Sequence, residues 1–384
     1  MLYSLITKNQ KENYSTNIKF AILAPAHNEE RVISCFIESA LNVDYPKDKF
    51  DIFLVLDHCT DKTMEIANKY KINILEYKDK NLPAGKARAL NWATEIVLKN
   101  DYQAICYFDA DSLVHPNFLK AMSASVESGA MAIQGHQIPK NPRSSWLSRI
   151  ISVGQMISNR FFQKPKSHLG FSATLHGKGI CLKRNIVEKF KWDEQCLTED
   201  LEMQMRLIAN SIHIHWNEFA IVYDEQPETF RQYFKRTIRW TRGSLDTAKK
   251  HLWELLKNFI KTKDRRILEA FFYCANVYRL SIIGITALII WMHFDKFNFL
   301  IWLYDIIPGS EIALKILFLS PIMIMPLIIL VYEKEEADML LAYFLQPALG
   351  FLRIATFVLG IFKDNIHWNR TEHTSAIEIS ELIK

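Results

Sequence analysis

The clearest chemical signal of the chain is an arginine-rich segment, residues 231–243, which reads R-Q-Y-F-K-R-T-I-R-W-T-R-G. A guanidinium group presents a planar fork of N–H donors that matches two phosphate oxygens at once, so closely spaced arginines suit a diphosphate. Trp240 adds a flat apolar face, which suits the C–H face of a sugar ring. Phosphate and sugar together point to a nucleotide sugar as the ligand.

The spacing of this segment predicts a helix with its ligand-binding groups on one side. Arg236, Arg239 and Trp240 stand at i, i+3 and i+4 and therefore share a helix face. The same pattern is typical of a basic amphipathic helix on anionic lipid, with Trp240 as an interfacial anchor. The region from Arg231 to Arg266 carries twelve basic and three acidic residues, which suits both interpretations.

Two carboxylate motifs precede this segment. In D-A-D, Asp109 and Asp111 are spaced so that both can approach one hard divalent cation, with a bound diphosphate supplying further oxygens. In T-E-D (198–200), Asp200 stands at the start of a predicted helix and suits a general base that takes a proton from an acceptor hydroxyl. The alternatives are a solvated loop for D-A-D and simple helix-capping acids for T-E-D.

Two further polar residues follow predicted strands or turns. Asp57 ends a strand in L-D-H-C-T-D-K-T, where its carboxylate suits the N3–H of a uracil or a ribose hydroxyl. It could instead cap the following helix, but Thr60 or Asp61 can do so in its place. Lys86 follows a glycine at a helix start and could reach phosphate, although a single lysine there is usually a surface residue.

The pattern of apolar residues places these motifs on an α/β scaffold. Short apolar runs alternate with amphipathic stretches along the first hundred residues, and this pattern predicts βαβ units and a parallel sheet. Ligands of such sheets bind beyond the carboxyl ends of the strands, where Asn28, Asp57 and Asp109 fall. The predicted strands are 19–24, 51–56, 72–76 and 104–108, and the predicted helices are 29–41, 62–70 and 84–99.

Composition narrows the class of protein. The 384 residues are 49% hydrophobic, enough for a large core, and a net charge of only +5 excludes a nucleic-acid-binding polycation. The six cysteines show no C-x-x-C pair, which is typical of reduced thiols in a cytosol-facing domain. The apolar run at the N-terminus is too short for a signal peptide.

The last third of the chain has a different composition, with long apolar stretches and few charges. Three nearly uncharged stretches occur there: 281–294 (extending back to 271), 312–332 and 340–362. A membrane span needs about 20 apolar residues. With a basic segment before them, the stretches predict a multi-pass protein of the cell membrane with a cytosolic N-terminal domain, rather than buried core helices.

The number of crossings is left open by the sequence. If all three stretches cross, the tail 363–384 lies outside the cell. If the tail returns to the cytosol, one stretch is re-entrant or interfacial. The best candidate is 340–362, because it contains Gln346, Pro347 and Arg353.

Taken in order, the motifs resemble glycosyltransferase family 2, the inverting nucleotide-sugar transferases of the GT-A fold. The resemblance runs from 19 to 245 and is closest to the membrane-embedded branch of cellulose, hyaluronan and poly-N-acetylglucosamine synthases. Its motifs are A-P-A-H-N-E-E (24–30), the Asp57 loop, G-K-A-R-A-L-N (85–91), D-A-D, and T-E-D with R-x-x-R-W. The tail W-N-R-T-E-H-T (368–374) resembles the W-x-x-T motif of some relatives.

The resemblance implies a role for each site residue. It implies that Ala26, Glu29 and Asp57 line a uridine pocket and that Lys86 and Asp109 help to hold the nucleotide. It implies that Asp111 is a ligand for Mg²⁺ or Mn²⁺ and that Asp200 is the catalytic base. It implies that Arg239 binds the diphosphate and that Trp240 forms the acceptor platform. Arg236 replaces the family's usual glutamine of Q-x-x-R-W, a change that still suits a phosphate contact, and Gln232 lies one helical turn earlier.

The resemblance also implies a domain plan. We expect a GT-A domain with a mostly parallel sheet, followed by interfacial and transmembrane helices. The boundaries are an N-terminal extension (1–17), the GT-A domain (18–245), a basic interfacial region (246–270), membrane helices (271–362) and a tail (363–384).

The expected activity is transfer of a hexose or N-acetylhexosamine from a UDP-sugar to a growing glycan, with a β-linked product. The alternatives are transfer of a single sugar to a polyprenyl phosphate or glycolipid, or a catalytically silent subunit that binds nucleotide sugar. Few crossings make a polymer channel hard to build from one chain, so a homo-oligomer or a partner subunit is a further expectation. We expect no nucleic-acid partner.

Overall fold

The computed structural model describes residues 13–79, 82–278, 306, 309, 337–362, 373 and 375–383. This part of the chain is built on one eight-stranded sheet with the strand order β3-β2-β1-β4-β7-β6-β8-β5. The strands are β1 Phe20–Ala26, β2 Phe50–Asp57, β3 Asn73–Tyr77, β4 Ala104–Tyr107, β5 Leu113–Val114, β6 Ala132–Pro139, β7 Ile180–Lys183 and β8 Ile214–Asp224.

The first half of the sheet is the predicted parallel βαβ arrangement. β1 pairs in parallel with β2 and β4, and β2 pairs in parallel with β3. The strands β1, β2 and β4 are buried almost throughout, as expected for parallel strands covered by helices on both faces. The helices that connect these strands are α1 Ile33–Leu41, α2 Thr63–Ala67 and α3 Lys86–Val97, and α4 Phe118–Glu127 follows β5 and leads to β6.

The second half of the sheet is mixed. β7 runs antiparallel to both β4 and β6, β6 is parallel to β8, and β5 is antiparallel to β8. Four of the seven pairings are therefore parallel, and they include every pairing among the four predicted strands. The helices of this half are α5 Trp146–Ser158, a π-helical turn Asn159–Gln163, α6 Lys164–His168, α7 Arg184–Lys189 and α8 Glu199–Ala209.

A long helix, α9 (Phe230–Thr262, 33 residues), contains the arginine-rich segment and confirms the predicted helix there. Its first turn is fixed by a capping box, in which Thr229 and Gln232 bond to each other's backbone N–H. The helix continues without a break across the predicted domain boundary at 245/246. It ends at Lys263, whose φ is +57°, and α10 (Arg265–Ala275) then packs back against it.

Helix α9 crosses the T-E-D motif at Gly243. A Cβ atom on Gly243 would lie 2.5 Å from Thr198 Oγ1 and 2.6 Å from its Cγ2, closer than real contacts allow. Only glycine therefore lets α9 approach the start of α8 this closely. The approach places the arginine-rich face of α9 next to the T-E-D motif.

The C-terminal helices pack onto this framework. α11 (Ala337–Phe344) contacts α5, and α12 (Gln346–Phe362) lies along α9, where Gly360 meets Thr241. These two helices contain the predicted stretch 340–362. Within the described residues, no helix combines the length and the apolar character needed to cross a membrane. The stretches 281–294 and 312–332 lie outside the described residues.

The C-terminal tail contacts the α/β domain. Ser375 N donates to Glu225 Oε2 at 3.3 Å, and a short helix, α13 (Ile379–Leu382), follows. Ile379 and Leu382 pack against a buried cluster that includes Leu113 of β5 and Tyr223 of β8. The described tail residues therefore pack against the α/β domain itself. The number of membrane crossings stays a prediction.

Gly243 is expected to be more sensitive to alanine than an open helical glycine. At an uncrowded helix position, glycine to alanine stabilises by about 1 kcal/mol. Gly350 in α12 is such a position, because a Cβ there meets nothing within 4 Å. Gly243→Ala instead forces α9 away from Thr198, and such overpacking costs about 1–3 kcal/mol. We expect Gly243→Ala to lower, and Gly350→Ala to raise, the thermal unfolding temperature; equal effects would contradict the close helix contact.

Candidate active site

A cavity of about 770 Å³ lies at the carboxyl ends of the parallel strands, bounded on the far side by α5, α9, α11 and α12. All ten site residues expected from the sequence line it. They are Ala26, Glu29, Asp57, Lys86, Asp109, Asp111, Asp200, Arg236, Arg239 and Trp240. The fold thus gathers these residues around one space, while their individual roles stay predictions.

Asp57 is held at the end of β2 by two neighbours. Its carboxylate is buried, accepts the N–H of Gly85 at 2.7 Å and lies 2.6 Å from His58 Nδ1. The hydrogen bond to Asp57 raises the pKa of His58. The helix-capping alternative for Asp57 is wrong, because Asp61 accepts the N–H of Thr63 at the start of α2. Asp57 faces the cavity instead.

Lys86 joins the two carboxylate motifs. Its Nζ lies 2.5 Å from Asp109 Oδ1 and 3.2 Å from Glu199 Oε1, and it donates to the Gly177 carbonyl at 3.1 Å. Burial alone would lower the pKa of Lys86, but Asp109 and Glu199 outweigh it and raise the pKa above its usual range. The side chain is only 19% exposed, so the surface-lysine interpretation is wrong.

Asp200 stands in the first turn of α8, where its Oδ1 accepts the N–H of Leu201 at 2.8 Å. Burial, together with the charge of neighbouring Glu199, raises the pKa of Asp200 to about 7, while Lys86 opposes the shift. Gly177 has a φ of +76°, and a Cβ there would meet Asp200 Oδ2 at 3.2 Å and Lys86 Nζ at 3.3 Å. A carboxylate with a pKa near neutrality is suited to accept a proton and release it again.

Asp111 is the most buried acid of the D-A-D motif. Burial would raise the pKa of Asp111, but nearby His373, Lys178 and Lys140 together lower it below its usual range, which keeps the carboxylate ionised. His373 Nδ1 lies 3.3 Å from Asp111 Oδ2, and Lys140 Nζ donates to the Asp111 carbonyl at 2.9 Å. An ionised, buried carboxylate that lines the cavity suits a metal ligand.

The neighbouring acid groups fit a divalent cation. Asp224 is buried and lines the same cavity, and its Oδ1 has no hydrogen-bond partner among the described residues. Its Oδ2 accepts from Lys178 and Gln226, both at 2.9 Å. Ionised carboxylate oxygens are the ligands that Mg²⁺ and Mn²⁺ prefer. In the part of the chain described, no three His, Cys, Asp or Glu side chains form a metal site by themselves, so further ligands would have to come from a bound diphosphate and water.

The arginines of α9 line the side of the cavity away from the strand ends. The guanidinium of Arg236 stacks 4.6 Å from the ring centre of Trp240 and donates to Gln226 Oε1 at 3.2 Å. Burial lowers the pKa of Arg236 to about 10, so it is still a cation at neutral pH. The Nε atoms of Arg236 and Arg239 are buried and have no hydrogen-bond partner among the described residues. These donors suit phosphate oxygens, while Trp240, 47% exposed, offers apolar surface to a sugar.

Several cavity residues were not found from the sequence. Asp224 ends β8 and Glu225 and Gln226 follow it, and the rule that ligands gather at strand ends would have found them once β8 was recognised. His176 and Lys178 lie in an irregular loop with no sequence signal. Burial lowers the pKa of His176 to about 4, so this ring is neutral near pH 7.

The chain belongs to a family of glycosyltransferases, described as "Glycosyltransferase like family 2", whose sequence profile matches residues 17–243. The fold is the GT-A fold. A solved structure of the mannosyltransferase PcManGT from Pyrobaculum calidifontis, in complex with GDP-Man and Mn²⁺, shares it with a TM-score of 0.53. That comparison covers 92% of each chain at 14% identity, so it supports the fold alone.

Named relatives are also glycosyltransferases. "Probable glycosyltransferase YdaM" of Bacillus subtilis is 29% identical over 72% of this chain and 66% of its own length. "Beta-monoglucosyldiacylglycerol synthase" of Nostoc sp. is 25% identical over 73% and 60%. "Poly-beta-1,6-N-acetyl-D-glucosamine synthase" of Staphylococcus epidermidis is 24% identical over 74% and 70%. The chain thus spans less than two thirds of the length of the first two.

Lys86 is expected to set the pH at which Asp200 ionises. Because the charge of Lys86 lowers the pKa of Asp200, Lys86→Met raises it further, by roughly one unit or more. A base acts only when ionised, so kcat/KM for transfer should rise with pH through a midpoint near 7 in the unaltered chain and at higher pH in Lys86→Met. The exposed Lys78, which pairs with Glu76, provides the control Lys78→Met. An unmoved midpoint in Lys86→Met would show that Lys86 does not tune the base.

Proposed function

We propose that this glycosyltransferase moves a hexose or N-acetylhexosamine from a UDP-sugar to a hydroxyl of a growing glycan, with inversion at the anomeric carbon. The observation that carries the proposal is Asp200, whose pKa is raised to about 7 by burial and by Glu199, in the same cavity as Arg239 and Trp240. A base, a pair of cations and an apolar platform in one space suit attack by a sugar hydroxyl on a nucleotide sugar.

In this reaction Asp200 accepts the proton of the acceptor hydroxyl while that oxygen attacks the anomeric carbon. The bond between the anomeric carbon and the diphosphate oxygen breaks, and UDP leaves with the bonding electrons. Arg236 and Arg239 bind the negative charge that builds up on the departing diphosphate. Attack from the opposite face gives a β-linked product from an α-linked donor.

The remaining cavity residues bind and orient the donor. Asp57, Ala26 and Glu29 form the uridine end, and Asp109 with Lys86 holds the nucleotide near the D-A-D motif. A divalent cation, Mg²⁺ or Mn²⁺, held by Asp111, would neutralise the diphosphate when bound. Trp240 supports the acceptor sugar.

We further propose that the reaction takes place at the cytosolic face of the cell membrane. Support comes from the apolar stretches beyond residue 278 and from the basic face of α9. The tail packs on the same domain that carries the site, so any complete crossings between Tyr278 and His373 would be even in number. The segment 340–362 would then be the interfacial one.

A second candidate is transfer of a single sugar to a glycolipid or polyprenyl phosphate. The side of the cavity away from the sheet has an apolar part, formed by Ile151 and Ile157 of α5 and by Tyr343 and Leu349 of the C-terminal helices, next to polar Gln155 and Gln346. Such a wall suits a lipid-linked acceptor, and one relative is named for a glucosyldiacylglycerol product. Product length separates the two candidates.

Asp200→Asn is expected to abolish transfer while donor binding persists. Loss of a positioned base costs roughly 10²- to 10⁴-fold in kcat. UDP release with donor and membranes present measures the rate, and titration with UDP measures binding. The matched control is Asp246→Asn, which changes an acid that pairs with Arg242 outside the cavity. Unchanged UDP release by Asp200→Asn would favour a catalytically silent nucleotide-sugar-binding subunit.

The donor and the acceptor are tested together with purified protein. A panel of UDP-sugars, with GDP-mannose included, is screened for nucleotide release with Mg²⁺ or Mn²⁺, and the product is then sized. Repeated addition supports the glycan candidate, and a single addition to a lipid supports the second. Turnover of GDP-mannose but of no UDP-sugar would overturn the proposed donor class.

A further inference from the structure

His58, the residue after Asp57, lies behind the cavity wall rather than in it. Asp57 lines the cavity and His58 does not. His58 Nδ1 lies 2.6 Å from Asp57 Oδ1, and His58 Nε2 lies 2.9 Å from the carbonyl oxygen of Asp79. The backbone N–H of His58 donates to the Tyr77 carbonyl at 3.2 Å, which ties the end of β2 to the end of β3. Any effect of His58 on a bound ligand therefore passes through Asp57.

The two partners of the His58 ring fix its protonation state. A carbonyl oxygen only accepts hydrogen bonds, so Nε2, which faces the Asp79 carbonyl, carries a proton. An aspartic acid is a much stronger acid than an imidazolium, so the proton between Asp57 Oδ1 and Nδ1 also resides on the ring. His58 is therefore a cation. Its hydrogen bonds to Asp57 and to the Asp79 backbone raise its pKa, although burial opposes the rise.

Asp57 is held in place on each side. Its Oδ1 accepts from His58, its Oδ2 accepts the N–H of Gly85 at 2.7 Å, and its backbone carbonyl accepts from His27 Nδ1 at 2.6 Å. An ionised carboxylate offers about four acceptor sites, so these two side-chain contacts leave capacity for an N–H of a ligand in the cavity. The N3–H of a uracil base is such a donor.

We propose that His58 is a positioning residue whose positive charge keeps Asp57 ionised and oriented toward the N–H of the uracil base, so that binding of a uridine nucleotide is coupled to pH. This inference rests on the proposed function, which places uridine at Asp57. When His58 loses a proton, one ring nitrogen becomes an acceptor that faces another acceptor, either Asp57 Oδ1 or the Asp79 carbonyl, and that contact opens. Because the pKa of His58 is raised, the arrangement is complete below this pKa and is lost as the pH rises through it.

The titratable groups that face His58 belong to β2, to β3 and to the residues that follow β3. Asp57 ends β2 and Asp79 follows β3, and the charges of both favour the protonated ring. The ring of Tyr77 in β3 packs edge-on against His58, with the centroids 5.7 Å apart. Burial and the charge of Asp79 raise the pKa of Tyr77, so its hydroxyl stays neutral while His58 titrates. The change of charge near neutral pH therefore comes from His58 itself.

UDP affinity as a function of pH tests the proposal without relying on turnover. The variant is His58→Asn, because His58 has a φ of +52° and asparagine tolerates this conformation well. Calorimetric titration of the purified full chain with UDP is carried out from about pH 6 to about pH 9 with Mg²⁺ present. We expect His58→Asn to bind UDP about three- to tenfold more weakly near pH 6, the range for loss of one orienting hydrogen bond, and the difference to vanish near pH 9.

Two controls accompany this titration. His215→Asn changes an exposed histidine at the opposite end of β8 from the cavity, and it should match the unaltered chain at every pH. Thermal unfolding shows that both variants are folded. Histidine-selective nuclear magnetic resonance should find both ring nitrogens of His58 protonated at neutral pH. It should also show that UDP raises the pKa of His58, because binding and protonation are reciprocally linked.

The possible results separate the inference from the proposed function. If His58→Asn and the unaltered chain bind UDP equally at every pH, the inference is overturned and the proposed function stands. A loss of affinity that is the same at every pH would also overturn it, because His58 would then act only through its shape. If the unaltered chain binds GDP but no UDP at any pH, the proposed uridine site is itself wrong, and the inference fails with it.

Discussion

The arrangement of the site depends on one buried ammonium group. Lys86 at the start of α3 contacts Asp109 after β4, Glu199 at the start of α8 and the Gly177 carbonyl. Without a cation, these acids and Asp200 would repel one another in a space largely removed from water, and each would tend to take up a proton. The pair of carboxylates keeps Lys86 charged, and Lys86 in turn keeps the pKa of Asp200 near neutrality rather than higher. Lys86 therefore holds the two carboxylate motifs together and also tunes the pKa of the proposed base.

Helix α9 supplies the other half of the site, and its position follows from packing rather than from charge. Two charged arginines near each other do not attract, so the helix is held by its buried face, on which Ala248 and Leu255 meet the core. Gly243 allows contact with Thr198, and α12 packs against the helix where Gly360 meets Thr241. Burying Arg236 and Arg239 close together costs free energy, because their Nε atoms have no hydrogen-bond partner among the described residues. The apolar packing of the helix offsets that cost. These N–H donors are therefore already out of water, which suits them to the diphosphate of the proposed function.

The sequence predicted local features well and non-local ones poorly. β1, β2 and β4 were predictable because each contains a continuous apolar run that is followed by a polar residue, and the ends of β2 and β4 gave Asp57 and Asp109. β5, β6 and β8 were not predicted, because β5 has only two residues and because β6 and β8 contain polar positions such as Gln134 and Asn217. The partners of Lys86 and the position of His373 depend on contacts between distant parts of the chain, and no local pattern encodes them.

Arg236 stands where the family usually has a glutamine, and the surrounding residues accommodate this change. The family's glutamine is missing at position 236, and Gln232 lies one turn earlier. The amide oxygen of Gln232 does not replace it, because this oxygen caps α9 by accepting hydrogen bonds from Thr229. Gln226 after β8 contacts Arg236 instead, and Trp240 covers the guanidinium face. Burial lowers the pKa of Arg236 but leaves it charged, so this position contributes a full positive charge where a glutamine contributes only a dipole. In the proposed function, a second charge beside Arg239 would strengthen the binding of the donor's diphosphate by electrostatics.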